Sequence, residues 1–331
     1  MPAIRSSDMV DALIAAFEDS QTPAIFIPRT AQHPRRFIVQ TPVGNASVWI
    51  YIWTLTPGGR PALPDEYRIQ MTTVGSPLEM NPAGYTTLMG YEPSLKVFAG
   101  FDLERHKTFT TGSPSVQVDI GCLHRALQDG LGFGPKENNE IAVGIRPDQL
   151  TNYISNARDL HRLGSRATMY ELLTMATSLQ AIPQNVMDEL PSPRRRVLQT
   201  MSKLSRDGAF RQKVLTAYGH RCAVTRMQLR LVEAAHILPV GAENSTDDVR
   251  NGLALSPTFH RAFDNGLIFL DENYVMRLNS QKELQLVTLN RDAGLPAFRQ
   301  ILDRRIHLPA DERQWPVPAI IRQANRCRRI P

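Results

Sequence analysis

Residues 229–278 constrain their own fold more tightly than any other stretch of this chain. Residues 229–237 have the pattern of a strand that ends beside a histidine, His236. A polar loop follows over 241–248, then Asn251-Gly252 and the short apolar run Leu253-Ala254-Leu255. Ser256-Pro257 has the form of a helix start. A hydroxyl stands at the N-cap, and proline takes the first helical position, where its missing N–H is not needed. That helix places His260 and Asp264 four residues apart and therefore on one face. Two further strands, over 267–270 and 274–278, close the unit.

The motifs within this stretch are RCAVT at 221–225, EAAHI at 233–237, NGLALSP at 251–257 and FHRAFDNGLI at 259–268. Together they resemble the HNH nuclease family, and the resemblance extends over residues 195–331. It implies a ββα fold clasping one divalent metal, flanked by helices, that hydrolyses DNA phosphodiesters with Mg2+ or Mn2+. His236 would be the general base, and Asn251 would orient it or brace the loop. His260 would bind the metal, with Asp264 as the second ligand. These residue types suit the chemistry. Hydrolysis needs a water deprotonated near neutral pH, where imidazole titrates, and a cation to stabilise charge on the phosphate. Taken singly, His236 could be a core histidine, Asn251-Gly252 a turn and His260 a surface residue. Their shared register argues against all three being so. In many HNH proteins an aspartate ligand precedes the first histidine, whereas Ala235 stands here. Glu233, Asp247 and Asp248 are candidates to compensate.

The three cysteines, Cys122, Cys222 and Cys327, form no CxxC pair, so neither a disulfide framework nor a structural zinc is expected. Cys222 reads as a small buried residue. Packing is expected instead from Leu229, Leu231, Ile237, Leu253, Phe259 and Phe263. Charge is distributed unevenly. Residues 1–185 carry 15 Lys/Arg and 17 Asp/Glu, whereas 186–331 carry 23 and 15. A polyanion such as DNA is the natural partner for the second part; an inert basic surface is the alternative. A long helix is expected over 194–218, with Val197, Met201, Leu204, Phe210, Val214 and Leu215 as its apolar stripe. Between Arg194 and Arg230 there are ten Lys/Arg and one acid, Asp207. Candidate phosphate contacts are Arg194, Arg195, Arg196, Arg211, Lys213, Arg221 and Arg261, unless that face is merely solvated. Arg322, Arg326, Arg328 and Arg329 near the end extend the positive track.

The first part reads as α+β with a mainly antiparallel sheet. Strands are expected over 37–40, 47–54, 67–71 and 95–101, and helices over 8–18, 118–129, 147–160 and 167–179. Residues 186–194, in a stretch with three prolines over 182–193, read as a linker between a recognition domain at 1–185 and a nuclease domain at 195–331. Trp49, Tyr51 and Trp53 share one strand face, either as sheet core or as a surface that stacks on a base. His33, Arg35, Arg36, Arg68, Lys96, His106 and Lys107 are further candidate phosphate contacts. No apolar run approaches the roughly 18–20 residues that span a bilayer, and the first residues lack a signal-peptide pattern, so a cytoplasmic location without membrane contact is expected. The whole reads as a restriction or defence endonuclease, plausible as a homodimer because cutting two strands with one site per chain calls for two sites. The alternatives are a signal-gated effector with a nucleotide-sensing first domain, and a catalytically silent DNA-binding protein.

Overall fold

The computed structural model describes residues 4–29, 32–41, 44–110, 112–136, 138–164 and 167–330. They form two compact units, Met1–Gly208 and Ala209–Pro331, and the fold class is α+β.

The first unit runs α1 (Ser6–Asp19), β1 (Ala24–Ile27), β2 (Arg35–Thr41), β3 (Gly44–Thr54), β4 (Thr56–Pro57), β5 (Glu66–Gln70), β6 (Gly84–Glu92) and β7 (Val97–Phe101). It continues with α2 (Leu103–His106), β8 (Ser115–Asp119), α3 (Ile120–Asp129), β9 (Leu131–Pro135), β10 (Ile141–Ile145), α4 (Leu150–Gly164), α5 (Ala167–Thr177), α6 (Gln184–Glu189) and α7 (Ser192–Ala217). Seven strands make one sheet in the order β1-β2-β3-β6-β7-β10-β9. Every pairing in it is antiparallel except β3 with β6, whose parallel register needs the long crossover through β4 and β5. Alternation along β3 feeds two cores. Ile50 and Ile52 face α1, α4 and α5, whereas Tyr51 faces α3 and the smaller β4-β5-β8 sheet. Glycines let α3 lie close to the sheet. A Cβ at Gly132 or Gly144 would run into the Cys122 carbonyl.

Residues 186–194 are not an extended linker. They belong largely to α6 and the start of α7, and the two units divide inside α7, at Gly208 and Ala209. The cause is the apolar stripe of that helix. Leu198 and Met201 are buried in the first unit's core, while Phe210 and Val214 are buried in the second's. The expected helix over 118–129 begins two residues later, because Asp119 is extended and caps it by accepting from the Gly121 N–H.

The aromatic face of β3 is divided in use. Tyr51 is core, at 2% exposure. Trp49 is half-buried beneath the Arg36 guanidinium, 3.6 Å from its ring centroid, and Trp53 donates its indole N–H to the Thr72 carbonyl. His33 stacks on Trp53 at 4.2 Å between centroids. Burial, with Arg35 alongside, pushes His33 down to about 3, and burial likewise lowers His161 to about 4. In the unfolded chain both protonate near pH 6.5, so below that pH protons favour unfolding, by up to about 1.4 kcal/mol per pH unit for each group. The thermal midpoint of the first unit is therefore expected to fall between pH 6.5 and 4. His33→Gln should make the fall shallower when followed by circular dichroism. Parallel declines in variant and wild type would exclude His33 as a source.

The second unit comprises β11 (Glu233–His236), β12 (Gly252–Leu255), α8 (Pro257–Asp264), β13 (Ile268–Leu270), β14 (Val275–Leu278), α9 (Ser280–Thr288), α10 (Leu295–Arg299), β15 (Arg304–Arg305) and α11 (Pro318–Cys327). β11 and β12 form an antiparallel hairpin in which His236 faces Gly252. α8 follows directly, with Ser256 at the N-cap position and Pro257 opening the helix, although the serine side chain makes no cap bond. Ile237, Leu253, Phe259 and Phe263 join the core as expected, and Cys222 is buried there. Leu229 and Leu231 do not, being 73% and 52% exposed. The strand starts only at Glu233, because Leu229 and Arg230 adopt left-handed backbone (φ 45° and 53°) that cannot continue a β-ladder.

Candidate active site

The hairpin and α8 bring His236, His260 and Asp264 to one cavity of about 450 Å3, which Ala234, Pro239, Val240 and Arg328 complete. His236 is the last residue of β11 and is half-buried. One face of its ring lies on Phe210, with centroids 3.7 Å apart and planes within 11°. Its Nε2 is 3.0 Å from a carboxylate oxygen of Asp247. An imidazole that donates its Nε2–H to that carboxylate keeps a free lone pair on Nδ1, the atom that can take a proton. Across the cavity, His260 Nδ1 lies 2.6 Å from a Glu233 carboxylate oxygen and Nε2 3.3 Å from one of Asp264. The hydrogen bond to Glu233, supported by the charge of Asp264, raises the His260 pKa above its usual value.

Asn251 is wholly buried and does not hydrogen-bond to the His236 ring. Its Oδ1 accepts from the Leu238 N–H at 2.8 Å, and its Nδ2 donates to the carbonyls of Leu238 and Thr246 at 3.2 and 2.8 Å. The side chain thus closes the loop that carries Asp247 onto the hairpin. Gly252 is not a turn residue here. It pairs with His236 in the ladder, and a Cβ would strike Val214 of α7.

This order of strand, loop, strand and helix, with its histidines facing one cavity, coincides with a known family. Residues 222–271 match the family model for the HNH endonuclease. The second unit carries an HNH endonuclease domain. In the first unit, residues 46–154 match the family described as Methylase-associated X1. No curated protein matches the chain. Among solved structures, the modification-dependent TagI restriction endonuclease matches at 13% identity, with a TM-score of 0.29 and coverage of 83% of this chain and 80% of its own.

Among the described residues of the HNH domain, no three His, Cys, Asp or Glu side chains converge as a ready ligand set. His260 and Asp264 offer one nitrogen and one oxygen donor. That pair fits a hard or borderline divalent ion, which keeps water or phosphate oxygens in its remaining positions. Ala235 is packed in the core. The three acids weighed as its substitutes divide between tasks: Glu233 meets His260, Asp247 meets His236, and Asp248 caps the turn at Val249–Asn251 and pairs with Arg250.

The candidate phosphate contacts are dispersed. Lys213, Arg221 and Arg261 are exposed on the HNH domain, and Arg211 is half-buried there. Arg194, Arg195 and Arg196 belong to the first unit, where the Arg195 guanidinium donates to the carbonyls of Asp188 and Leu190 at the end of α6. Sequence reasoning missed Phe210 as a ring support and Arg328 as a cavity residue. The first stood out only as one apolar position in a helix stripe, the second only as one arginine in a basic tail.

Proposed function

We propose that the chain is a metal-dependent DNA endonuclease of restriction type, in which the HNH domain hydrolyses the phosphodiester and the first unit selects the target sequence or modified base. The convergence of His236, His260 and Asp264 on one cavity carries the reading. His236, held by Phe210 and Asp247, accepts the proton of the attacking water. The water oxygen bonds to phosphorus, and the opposite P–O ester bond breaks. His260 and Asp264 would hold a divalent ion, Mg2+ or Mn2+, and that ion would supply charge stabilisation for the phosphate and the leaving oxygen. Glu233 orients His260 through its other ring nitrogen, as second partners of ligating histidines do.

Chelation should therefore abolish cleavage, and Mg2+ or Mn2+ should restore it. His260→Ala and Asp264→Ala are expected to raise the metal concentration needed for half-maximal cleavage by more than the roughly 10- to 100-fold that loss of an outer-shell partner costs. Cleavage that survives EDTA, or an unchanged metal requirement in both variants, would remove the metal assignment.

For the first unit, the reading is supported by the half-buried Trp49 and Trp53 on one strand, the absence of a basic excess and the Methylase-associated X1 match. Digestion of unmodified, methylated, hydroxymethylated and phosphorothioated DNA tests it. Cleavage confined to one class supports selection by the first unit. Cleavage of every class only after addition of a nucleotide would favour a signal-gated effector. DNA binding with no cleavage would favour a silent binding protein. With one such histidine-lined cavity among the described residues of each chain, a homodimer is the form proposed for double-strand cleavage. No described helix is long and apolar enough to cross a membrane.

A further inference from the structure

Four arginines stand near the end of the chain, and the fold separates them. Arg322 is paired with Glu272, while Arg326 and Arg329 point to solvent. Arg328, at the C-cap of α11, turns inward and lines the cavity with His236, His260 and Asp264. Its guanidinium carbon lies 4.4 Å from the centroid of the Phe263 ring, and Nη1 donates to the Ile237 carbonyl at 2.6 Å. Phe263 and Ile237 are themselves core residues, so the head group is held from two sides.

The electrostatics of this placement are lopsided. Removing a guanidinium from water is costly unless an anion compensates. Arg328 is half-buried, yet among the described residues no carboxylate forms an ion pair with it. Asp264 lines the same cavity but bonds His260 instead. A guanidinium has five N–H donors in a planar fork, and the fork matches two oxygens of a phosphate. Among the described residues, only one guanidinium nitrogen of Arg328 has a hydrogen-bond partner.

We propose that Arg328 is a catalytic residue of the HNH domain: the cationic anchor that receives the scissile phosphate in the His236–His260–Asp264 cavity. The inference rests on the nuclease reading above. As the water oxygen bonds to phosphorus and the opposite ester bond breaks, negative charge grows on the non-bridging oxygens. Arg328 donates hydrogen bonds to those oxygens and neither gains nor loses a proton, since His236 takes the proton of the water. The phosphodiester carries one negative charge before the reaction, which gives Arg328 a small share of ground-state binding, and the added charge of the transition state makes its effect fall chiefly on kcat.

The test uses the full chain and a duplex whose cleavage position has first been mapped with the wild type. Arg328→Gln is expected to lower kcat by about 100-fold with KM within a few-fold of wild type, as loss of one fixed transition-state donor does. Arg328→Lys keeps the charge but not the fork, and should fall between. Arg313→Ala, which removes an exposed arginine paired to Asp311, controls for net charge. A second arm replaces the scissile phosphate with an uncharged methylphosphonate and measures binding without divalent metal. The wild type should bind this duplex less tightly than the native one, and Arg328→Gln should bind the two alike. Thermal melting reports folding, and if the glutamine variant is unfolded the lysine variant supplies both readouts. A folded variant with kcat within twofold of wild type, or one that keeps the full methylphosphonate penalty, overturns the assignment while leaving the nuclease reading intact. Absence of wild-type cleavage on every DNA overturns that reading, and this inference with it.

Discussion

His236→Ala is expected to lower the cleavage rate by about a thousandfold or more while the HNH domain stays folded. Positioned general bases contribute about 10²- to 10⁴-fold, and no second imidazole shares the cavity in the same role, because both ring nitrogens of His260 are engaged by Glu233 and Asp264. Structurally the substitution is mild. His236 ends a strand, its ring is half-buried, and its backbone keeps its place opposite Gly252. The ring gives up its stack on Phe210 and its bond to Asp247, both at the cavity edge rather than in the core. Initial rates on a cleaved duplex, read beside a thermal melt, separate chemistry from folding. Activity within tenfold of wild type in a folded variant would place the base elsewhere.

The parts of the site legible in the sequence are those fixed by local periodicity. The i, i+4 spacing puts His260 and Asp264 together wherever residues 257–264 are helical, and they are. The apolar run ending at His236 does the same for one end of a strand. Partners supplied from a distance were not legible. Phe210 reaches His236 from α7, 26 positions earlier, and Arg328 reaches the cavity from the end of α11, 92 positions later. No local pattern distinguishes these residues from the apolar and basic residues around them. Strands β9 and β10 were missed for a related reason. Glycines at 132, 134 and 144 interrupt their apolar pattern, yet they are needed where α3 presses on the sheet. The error at Leu229 and Leu231 runs the other way. Alternating leucines promised a buried strand, but the backbone there is left-handed and the side chains face water.

Asn251→Ala is expected to act through the fold, and this distinguishes the two roles its position in the motif allows. The side chain joins one N–H and two carbonyls of the loop to the hairpin from a site with no solvent exposure. Truncation leaves those groups without partners, at about 1–3 kcal/mol for each that water cannot reach. A combined loss of about 3–5 kcal/mol is a large share of the 5–15 kcal/mol that holds a typical domain. The unfolding midpoint of the HNH domain should drop by roughly 10 °C or more. Asn251→Asp should be no better. It keeps the acceptor for the Leu238 N–H but sets carboxylate oxygens against the Leu238 and Thr246 carbonyls. Cleavage should fall with both variants because the loop delivers Asp247 to His236, and the fall should be partly reversed at low temperature, where more of the domain is folded. If Asn251 instead oriented the His236 ring directly, the alanine variant would lose activity at an unchanged midpoint. Calorimetry and cleavage rates on the same samples decide between bracing and orienting, and the bond pattern around Asn251 favours bracing.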